Sequence, residues 1–353
     1  MKILRKKLVK LLILGTILST FSYANTTIIV EDAAKNKIEI KKEIKKIGIT
    51  PIPWASVVYA IDGGSEKIVT MNPSSMRAYK GHFLEKLDSG FGKIDTKVVG
   101  QNFAINLEEL IKLNPELMLI WDNQKDEADK LKALGISPVM VKNKTIEELQ
   151  DSMKVVGKIL NKEQRAEKFV ELYSKVYEEM KSYEEQIKKA EAPKVLYLKN
   201  SKLDLQGNDN FIKETLKLSG ADTITGKSLS MEEIVKINPD IILLSNFDQF
   251  SPEDLYANTI KGQDWSQVKA VKEKRVYKTP IGIYRWDAPG VETPLMMQWL
   301  AKLMQPEIFK NIKFKANLKK YFKEYFNYTL TDADIDQILN YDLNKNSKPI
   351  NLE

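Results

Sequence analysis

The sequence predicts an α/β protein of two similar lobes with mainly parallel sheets, joined by a single long rigid α-helix. Three observations lead to this prediction: an internal repeat, apolar runs typical of buried strands, and a long helical stretch without glycine or proline. The chain has 353 residues, which is enough for two domains of ordinary size, each with its own hydrophobic core.

The internal repeat consists of residues 106–122 and 230–246, which lie 124 positions apart. Between 107–120 and 231–244, six of fourteen positions are identical, and most of the others are conservative changes. Solenoid repeats recur every ~20–50 residues, so a spacing this wide indicates two similar lobes instead.

Each copy of the repeat predicts a helix, a tight break and a buried strand. Asn106 and Ser230 are N-cap residue types, and the glutamates three positions later, Glu109 and Glu233, complete capping boxes. The proline after each helix ends it, because the residue before a proline avoids the helical region. The apolar run after each proline has no polar alternation, as is typical of strands covered on both faces. The first copy has Pro115 and the run 117–121, and the second has Pro239 and the run 241–244.

The apolar residues of each repeat helix are spaced to fall on one helical face, as in an amphipathic helix. They are Leu107, Leu110 and Ile111 in the first copy, and Met231, Ile234 and Val235 in the second. The first glutamate of each copy, Glu108 or Glu232, has no capping role to explain it.

The first 24 residues have the features of a secretory signal peptide. A basic segment precedes the apolar run 11–18, which is too short for a membrane span of ~20 residues. Ser22, Tyr23 and Ala24 form a small-residue cleavage site before Asn25. Removing this segment takes away five positive charges and lowers the formal charge from +7 to +2, so we expect no nucleic-acid partner.

The chain contains no cysteine, which excludes disulfides, thiolate metal sites, a cysteine nucleophile and a lipidated N-terminal cysteine. A soluble periplasmic monomer is therefore expected. His82 is the only histidine, so a zinc site of the usual nitrogen and sulfur type is also excluded. Oxygen donors could still reach Fe³⁺. We expect His82 at the surface rather than as an axial ligand.

The elements divide the chain into five segments. After the signal peptide, 25–144 is the predicted first lobe, which opens with a strand hairpin over 26–40. Residues 145–192 form a connecting helical segment, in which 163–190 predicts one helix about 42 Å long. The second lobe is predicted over 193–310. A helical extension and tail follow over 311–353, with the last dozen residues expected to be disordered.

The order and spacing of these elements resemble the substrate-binding proteins of ABC importers for iron complexes, cobalamin and related metal chelates. The resemblance covers residues 26–339 and rests on the hairpin, the two repeats, the connecting helix and the segment 265–277. It implies two Rossmann-like lobes with a ligand cleft between them. It also implies that one surface carboxylate per lobe, Glu108 and Glu232, meets arginines of the membrane permease. The alternative is that both only complement helix dipoles, at ~0.3–1 kcal/mol each.

Ligand-binding residues are expected beyond the carboxyl ends of the strands, where open α/β sheets hold their ligands. Segments at these ends are rich in aromatic residues, which can stack on planar ligands, and in arginine, which pairs with carboxylate or phosphate. The candidates are Trp54, Arg77, Tyr79, Trp121, Tyr284, Arg285 and Trp286. The alternative is that some of these aromatics only fill the lobe edges.

The interpretation that follows is a periplasmic solute-binding protein that captures a metal chelate and delivers it to an ABC permease and its ATPase. The expected ligand is a ferric siderophore or another iron complex, with no covalent cofactor. Haem, cobalamin or a nickel or cobalt complex are alternatives, as is a chelate sensor or metal chaperone without transport. The chain has no Gly-x-Ser-x-Gly, His-Glu-x-x-His or glycine-rich phosphate motif, so an enzyme is not expected.

Overall fold

The computed structural model describes residues 27–100, 102–206 and 210–353. The expected signal peptide and its cleavage site lie outside these ranges. Within them, no helix is both long enough and apolar enough to cross a membrane.

The first lobe combines an antiparallel hairpin with a four-stranded parallel sheet of order β4-β3-β5-β6. Its elements are β1 (Thr27–Glu31), β2 (Lys37–Lys41), β3 (Ile47–Ile49), α1 (Trp54–Asp62), β4 (Ile68–Met71), α2 (Pro73–Tyr79), α3 (Phe83–Leu87), a 3₁₀ helix (Phe91–Lys93), α4 (Leu107–Leu113), β5 (Leu117–Trp121), α5 (Lys125–Ala133) and β6 (Ser137–Val141).

Three helices connect the lobes: α6 (Ile146–Ile159), α7 (Glu163–Lys181) and the short α8 (Glu184–Ile187). The second lobe has a parallel sheet of order β10-β9-β7-β8. Its elements are β7 (Lys194–Leu198), α9 (Asn210–Leu218), β8 (Asp222–Thr223), α10 (Met231–Ile237), β9 (Ile241–Leu244), α11 (Pro252–Tyr256), α12 (Lys269–Lys272), β10 (Val276–Lys278) and α13 (Thr293–Met304).

Both four-stranded sheets have the same topology. Counted along the chain within each lobe, the strand order is second, first, third, fourth, and every pairing is parallel. The repeat strands β5 and β9 are the third strands and lie next to the first ones, β3 and β7. The winding direction reverses between these neighbours, which is where such sheets hold ligands. The predicted two-lobed α/β fold is confirmed.

The connecting helix α7 is shorter than the sequence suggests. The predicted helix over 163–190 was wrong, because α7 ends at Lys181, giving 19 residues. At Ser182, the hydroxyl donates to the carbonyl oxygen of Glu179 at 2.6 Å. Serine side chains that bond the preceding turn compete with the helix backbone. We assign the break before α8 to this local competition.

The two repeat helices begin differently. Ser230 and Glu233 form the predicted capping box at α10. At α4, Asn106 accepts hydrogen bonds from the backbone of the first turn, but its own backbone N–H already donates to Val98 at 2.8 Å. Because that donor is used, Glu109 forms a salt bridge with Lys112 at 2.6 Å instead. The predicted capping box at Asn106 was therefore wrong.

A C-terminal extension packs across both lobes. It consists of α14 (Phe314–Phe326), α15 (Asp332–Ile338), α16 (Tyr341–Asn344) and the final residues. Phe322 of α14 lies edge-on to Phe83 of α3 with 5.1 Å between ring centroids, and Phe326 stacks on Tyr59 of α1. These contacts belong to one hydrophobic core that extends from the first lobe through α7 and α13 to the chain end.

The last dozen residues are ordered against the second lobe, so the prediction of a disordered tail was wrong. The Ser347 hydroxyl donates to the Val276 carbonyl oxygen at 2.6 Å, and Tyr277 donates to the carbonyl oxygen of Lys348 at 2.9 Å. Leu352 is buried and accepts a backbone hydrogen bond from Lys315. The polar composition of the tail did not predict its ordered structure, because most of these hydrogen bonds involve backbone atoms.

The loop after β10, residues 281–290, is buried and rests on Glu292. One carboxyl oxygen of Glu292 accepts a hydrogen bond from the Tyr284 backbone at 2.9 Å. The other lies against Gly282, where an added Cβ would be 2.0 Å away. Burial raises the pKa of Glu292 to about 7. A carboxyl group that titrates near neutral pH therefore supports this loop.

Asp334 should be the most important polar link between the extension and the first lobe. Its buried carboxylate forms a salt bridge with Lys86 of α3 and accepts two hydrogen bonds from Thr331, at 2.7 and 2.8 Å. Although burial alone would raise it, these partners hold the pKa of Asp334 below its usual value. We expect Asp334→Ala to lower the free energy of unfolding by about 1–3 kcal/mol in urea denaturation at pH 7.

The matched control is Asp332→Ala, which removes a carboxylate that is 92% exposed and pairs with Lys319. Its effect should be about 1 kcal/mol or less. Because the folded pKa of Asp334 is depressed, its contribution is present at neutral pH and is lost as the pH falls through that pKa. Equal effects of the two variants would contradict the link.

Glu292 should give the protein a stability that falls as the pH rises. Its folded pKa of about 7 lies above the ordinary 4.5, so the folded state binds more protons between these values. We expect the free energy of unfolding to decrease by up to about 3 kcal/mol over this range. Glu292→Gln should remove the decrease, measured by urea denaturation from pH 5 to 8. The exposed control Glu307→Gln should keep it, and an unchanged slope in Glu292→Gln would refute the assignment.

Candidate functional site

The carboxyl ends of the two sheets meet at the junction between the lobes. Ile52 follows β3 and Ala78 lies in α2, which follows β4. Both pack against three residues of the loop after β10: Ile281, Tyr284 and Ala288. The ends of strands from both lobes therefore form one surface, as expected for a ligand cleft between two α/β lobes.

Arg285 carries a desolvated positive charge at this junction. It is 5% exposed, and its guanidinium carbon lies 4.6 Å from the ring centroid of Phe247 and 5.7 Å from that of Tyr284. Its Nε is buried without a hydrogen bond, and no carboxylate in the described ranges forms a salt bridge with it. An unpaired buried charge is costly. An anion at this point would therefore be stabilised.

Further basic groups face the same junction from both lobes. Burial lowers the pKa of His82, and the positive charges of Arg285 and Lys278 lower it further. Burial raises the pKa of Tyr284 to about 12, against the opposing positive charges of Arg285 and Arg77. Positive charges from both lobes therefore act on this junction: Arg77 from the first lobe, and Arg285 and Lys278 from the second. The carboxylates of Glu85 and Asp287 act in the opposite direction.

Lys278 is a structural cation in this group. Its ammonium donates to three backbone carbonyl oxygens, those of Ser245 at 2.8 Å, Asp248 at 2.6 Å and Phe250 at 2.9 Å. Burial lowers its pKa to about 8. Because three donors are the full capacity of an ammonium group, Lys278 has none left for a ligand. It holds the loop after β9 that carries Phe247.

Asp287 anchors the same loop from the other side. One of its carboxyl oxygens accepts hydrogen bonds from the Ser245 hydroxyl and from the Asn246 backbone, the latter at 2.7 Å. The residue is fully buried. Asp287 and Lys278 together fix the position of Phe247 against Arg285, which leaves the guanidinium as the charged group with unused donors.

Gln124 orders the rim of the first lobe. Its side-chain oxygen accepts from the Thr50 hydroxyl at 2.6 Å and from the Trp121 backbone at 2.9 Å, and its amide nitrogen donates to Phe103 at 2.9 Å. Trp121 is half-buried there, edge-on to Phe103 with 6.5 Å between centroids. The ends of β3 and β5 are thus held together at the predicted position.

The structure brings three of the seven predicted ligand residues together: Arg77, Tyr284 and Arg285. Arg77 is exposed, and its side chain donates to the Ser74 hydroxyl. Trp121 lies on the rim described above. The arginines and Tyr284 thus share the junction predicted from the sequence, and their contact with a ligand stays a prediction.

The remaining three predicted ligand residues, all aromatic, pack inside the protein. Trp54 is fully buried in the core, and Trp286 lies 6.1 Å from Phe314 between ring centroids. Tyr79 stacks on Phe91 at 5.2 Å and donates to the Asp88 carbonyl oxygen at 3.0 Å. This packing favours the alternative that these aromatics fill the lobe edges.

Sequence reasoning missed two residues of the junction: His82 and Lys278. His82 was expected at the surface, but it is half-buried. The sequence places Phe247 at the carboxyl end of a buried strand, as the structure does after β9, although it is not one of the seven ligand candidates. The role of Lys278 depends on three backbone carbonyl groups, and no side-chain pattern in the sequence reveals those.

The predicted docking carboxylates lie on the surface. Glu108 and Glu232 are exposed in the first turns of α4 and α10, whereas Glu109 and Glu233 have the structural partners described above. Neither Glu108 nor Glu232 forms a salt bridge among the residues that the structure covers. In the same part of the chain, no three His, Cys, Asp or Glu residues are grouped to hold a metal ion.

Known proteins share this architecture. The chain matches the Periplasmic binding protein family over residues 54–281. The crystal structure of a periplasmic solute binding protein from Veillonella parvula is 40% identical, with a TM-score of 0.85, over 90% of this chain and 98% of that one. The molybdate-binding protein MolA of Haemophilus influenzae is 21% identical over 346 residues, covering 90% of this chain and 96% of MolA. The Fe(3+)-citrate-binding protein YfmC of Bacillus subtilis is 26% identical over 196 residues, covering 52% and 59%.

These similarities agree with the resemblance noted in the sequence. The family match covers more than half of the chain, and the Veillonella protein matches along nearly its whole length. The two parallel-sheet lobes and the helices between them agree with this match. The chain belongs to the periplasmic binding protein family: it is a solute-binding protein of an ABC transporter and not an enzyme.

Proposed function

We propose that this protein captures a metal-containing anion between its lobes and delivers it to an ABC permease and its ATPase. The observation that carries the ligand class is Arg285, a buried guanidinium without a counter-ion at the lobe junction. A bound carboxylate or oxyanion would supply the missing charge and accept charge-assisted hydrogen bonds. Arg77 at the same junction would add a second positive charge.

The metal would arrive inside the ligand. The described residues offer no group of three metal-ligating side chains, so recognition of a preformed complex fits them better than coordination by the protein. A ferric complex with carboxylate groups remains our first candidate, and a metal oxyanion is the second. The relatives named for Fe(3+)-citrate and for molybdate support both, since each of these ligands is an anion that contains a metal.

Large planar ligands fit less well. Haem and cobalamin would need apolar walls to stack on, but Trp54, Tyr79 and Trp286 are occupied in the core. Phe247 and Trp121 remain partly exposed for a smaller ligand. A chelate sensor or metal chaperone without transport is the alternative role, and the free carboxylates Glu108 and Glu232 favour docking to a permease over it.

The proposal includes where and how the protein works. We propose export to the periplasm, cleavage between Ala24 and Asn25, and action as a monomer. The proposed working parts are the lobes 25–144 and 193–310, the connecting segment 145–192, and the extension 311–353. The extension packs on both lobes, so its proposed role is to hold them at a fixed angle.

Arg285→Met should separate binding from stability. We expect the variant to weaken the binding of ferric citrate or sodium molybdate at least about 30-fold in calorimetric titrations, because the ligand loses its buried charge partner. The ligand-free variant should be more stable than the wild type by about 1 kcal/mol or more, because an unpaired buried charge is replaced by an apolar side chain.

The control for this prediction is Arg275→Met, which removes a half-buried arginine at the opposite end of β10. It should leave the dissociation constants unchanged. Haemin and cyanocobalamin serve as comparison ligands. The proposal fails if neither anion binds the wild type, or if Arg285→Met binds the anions as tightly as the wild type does.

Glu108→Lys combined with Glu232→Lys should abolish productive docking and leave ligand binding normal. Like charges placed opposite each other at an interface cost several kcal/mol, so stimulation of the permease-bound ATPase should fall at least tenfold. The control is Glu171→Lys with Glu178→Lys, two exposed glutamates of α7. ATPase assays of the reconstituted transporter test this prediction, and normal stimulation by the first double variant would exclude the docking role.

A further inference from the structure

Two apolar residues of the repeat helices do not lie where their spacing predicts. Leu110 and Ile234 are fully buried, as expected for the apolar face. Ile111 is 57% exposed and Val235 is 40% exposed, so the prediction of a shared apolar face was wrong for both. The short helices α4 and α10 bury only one narrow stripe, and the residue after that stripe points away from the lobe.

Ile111 and Val235 are equivalent positions of the repeat. They lie 124 residues apart, the offset of the repeat itself. Single exposed apolar residues are common on protein surfaces and need no explanation. Large exposed apolar residues are few in the described ranges, however: Ile29, Ile111, Leu134, Val235, Phe247, Tyr341 and Leu343. Two of them, Ile111 and Val235, are at matching positions of the repeat. A feature present once in each lobe indicates a partner that contacts both lobes in the same way.

Each of these apolar residues lies beside a free carboxylate. Ile111 is three positions after Glu108 on α4, and Val235 is three positions after Glu232 on α10. Residues three apart are neighbours on a helix surface. Each helix leads directly into the repeat strand of its lobe, so its first turn lies on the side where the parallel strands end. Glu108 and Glu232 therefore lie on the rim that borders the junction, and Ile111 and Val235 lie one turn further along each helix.

We propose that Ile111 and Val235 are contact residues of the permease interface, each inserting into an apolar hollow beside the basic group that receives Glu108 or Glu232. The inference rests on the proposed transport function and extends it. The partner surface would carry two equivalent sites, each with a cationic group next to an apolar depression. The glutamates and the two aliphatic residues would then contribute to docking in different ways.

The negative charges of Glu108 and Glu232 favour a permease at this surface over an anionic lipid surface or a second copy of the chain. An anionic lipid surface would repel Glu108 and Glu232, which lie one turn from the apolar side chains. A second copy of the chain would have to offer a free cation opposite each glutamate. Of the lysines on the two repeat helices, Lys236 forms no salt bridge in the described ranges, but Lys112 is already paired with Glu109, so these helices could meet only one glutamate. A permease with basic groups at both sites meets the requirement in each lobe.

The glutamates and the aliphatic side chains should affect different rate constants. Exposed charges mainly steer encounter and orientation, and salt screens their effect. Burial of an aliphatic side chain is non-directional and largely independent of salt. Loss of Ile111 or Val235 should therefore raise the dissociation rate of the complex, whereas loss of the glutamates should lower the association rate in a salt-dependent way.

The test uses the cognate permease–ATPase complex in nanodiscs and full-length mature protein loaded with ferric citrate or molybdate. The variants are Ile111→Ser, Val235→Ser and the two combined. We expect dissociation to be roughly tenfold faster for each single variant and roughly a hundredfold faster for the double variant, at both 50 and 500 mM salt. Interferometry measures the rates, and ligand affinity should remain that of the wild type.

Ile29→Ser and Leu134→Ser are matched controls, because they remove exposed aliphatic side chains of the first lobe outside the repeat. Both should dissociate like the wild type. A double variant within twofold of the wild type overturns the inference, even if ligand binding and the glutamate effects uphold the proposed function. A wild type that does not engage the transporter overturns both. If light scattering finds a wild-type dimer that Ile111→Ser and Val235→Ser dissolve, the surface belongs to a second copy.

Discussion

A single hydrophobic core that runs through both lobes is the constraint on which the site depends. The ring centroid of Phe169 in α7 lies 4.7 Å from that of Tyr325 in α14, and Tyr173 of α7 donates to the carbonyl oxygen of Gly290, at the end of the loop after β10. Large separation of the lobes would expose this aromatic packing to water, at a cost that grows with the apolar area. We therefore expect the lobes to adjust by only small rotations, with the junction largely formed before a ligand arrives.

This rigidity explains how a buried, unpaired guanidinium persists. Arg285 cannot turn out to solvent, because its loop is held by Glu292 beneath it and by the Phe247 loop beside it. The desolvation cost is thus built into the ligand-free fold, and under the proposed function it would be recovered when an anion binds. Preorganisation of this kind raises affinity by reducing what must be ordered on binding. Stability and binding are consequently opposed at Arg285, whereas Asp334 contributes to stability alone.

Local patterns were the part of the structure that the sequence could predict. The repeat, its prolines and the apolar runs identified both sheets, because helix ends and buried strands depend on neighbouring residues. The aromatic site residues were harder, since Trp54 and Trp121 look alike in a sequence and only tertiary packing decides that Trp54 is fully buried and Trp121 half-buried. The capping box at Asn106 failed for the same reason, as its backbone donor is taken by Val98. Ile111 shows that apolar spacing does not by itself predict burial in a two-turn helix.

A fixed lobe angle also limits how a permease can distinguish loaded from empty protein. Because α4 and α10 belong to lobes joined by one core, we expect the spacing between their glutamates to change little when ligand binds. A ligand can shift an equilibrium only by its differential affinity for the two states. With small lobe rotations, that difference would come from charge and local order at the junction, where the proposed anion would neutralise Arg285 near the proposed docking glutamates. The permease would then recognise the loaded protein mainly by its changed charge, because the shape of the protein changes little.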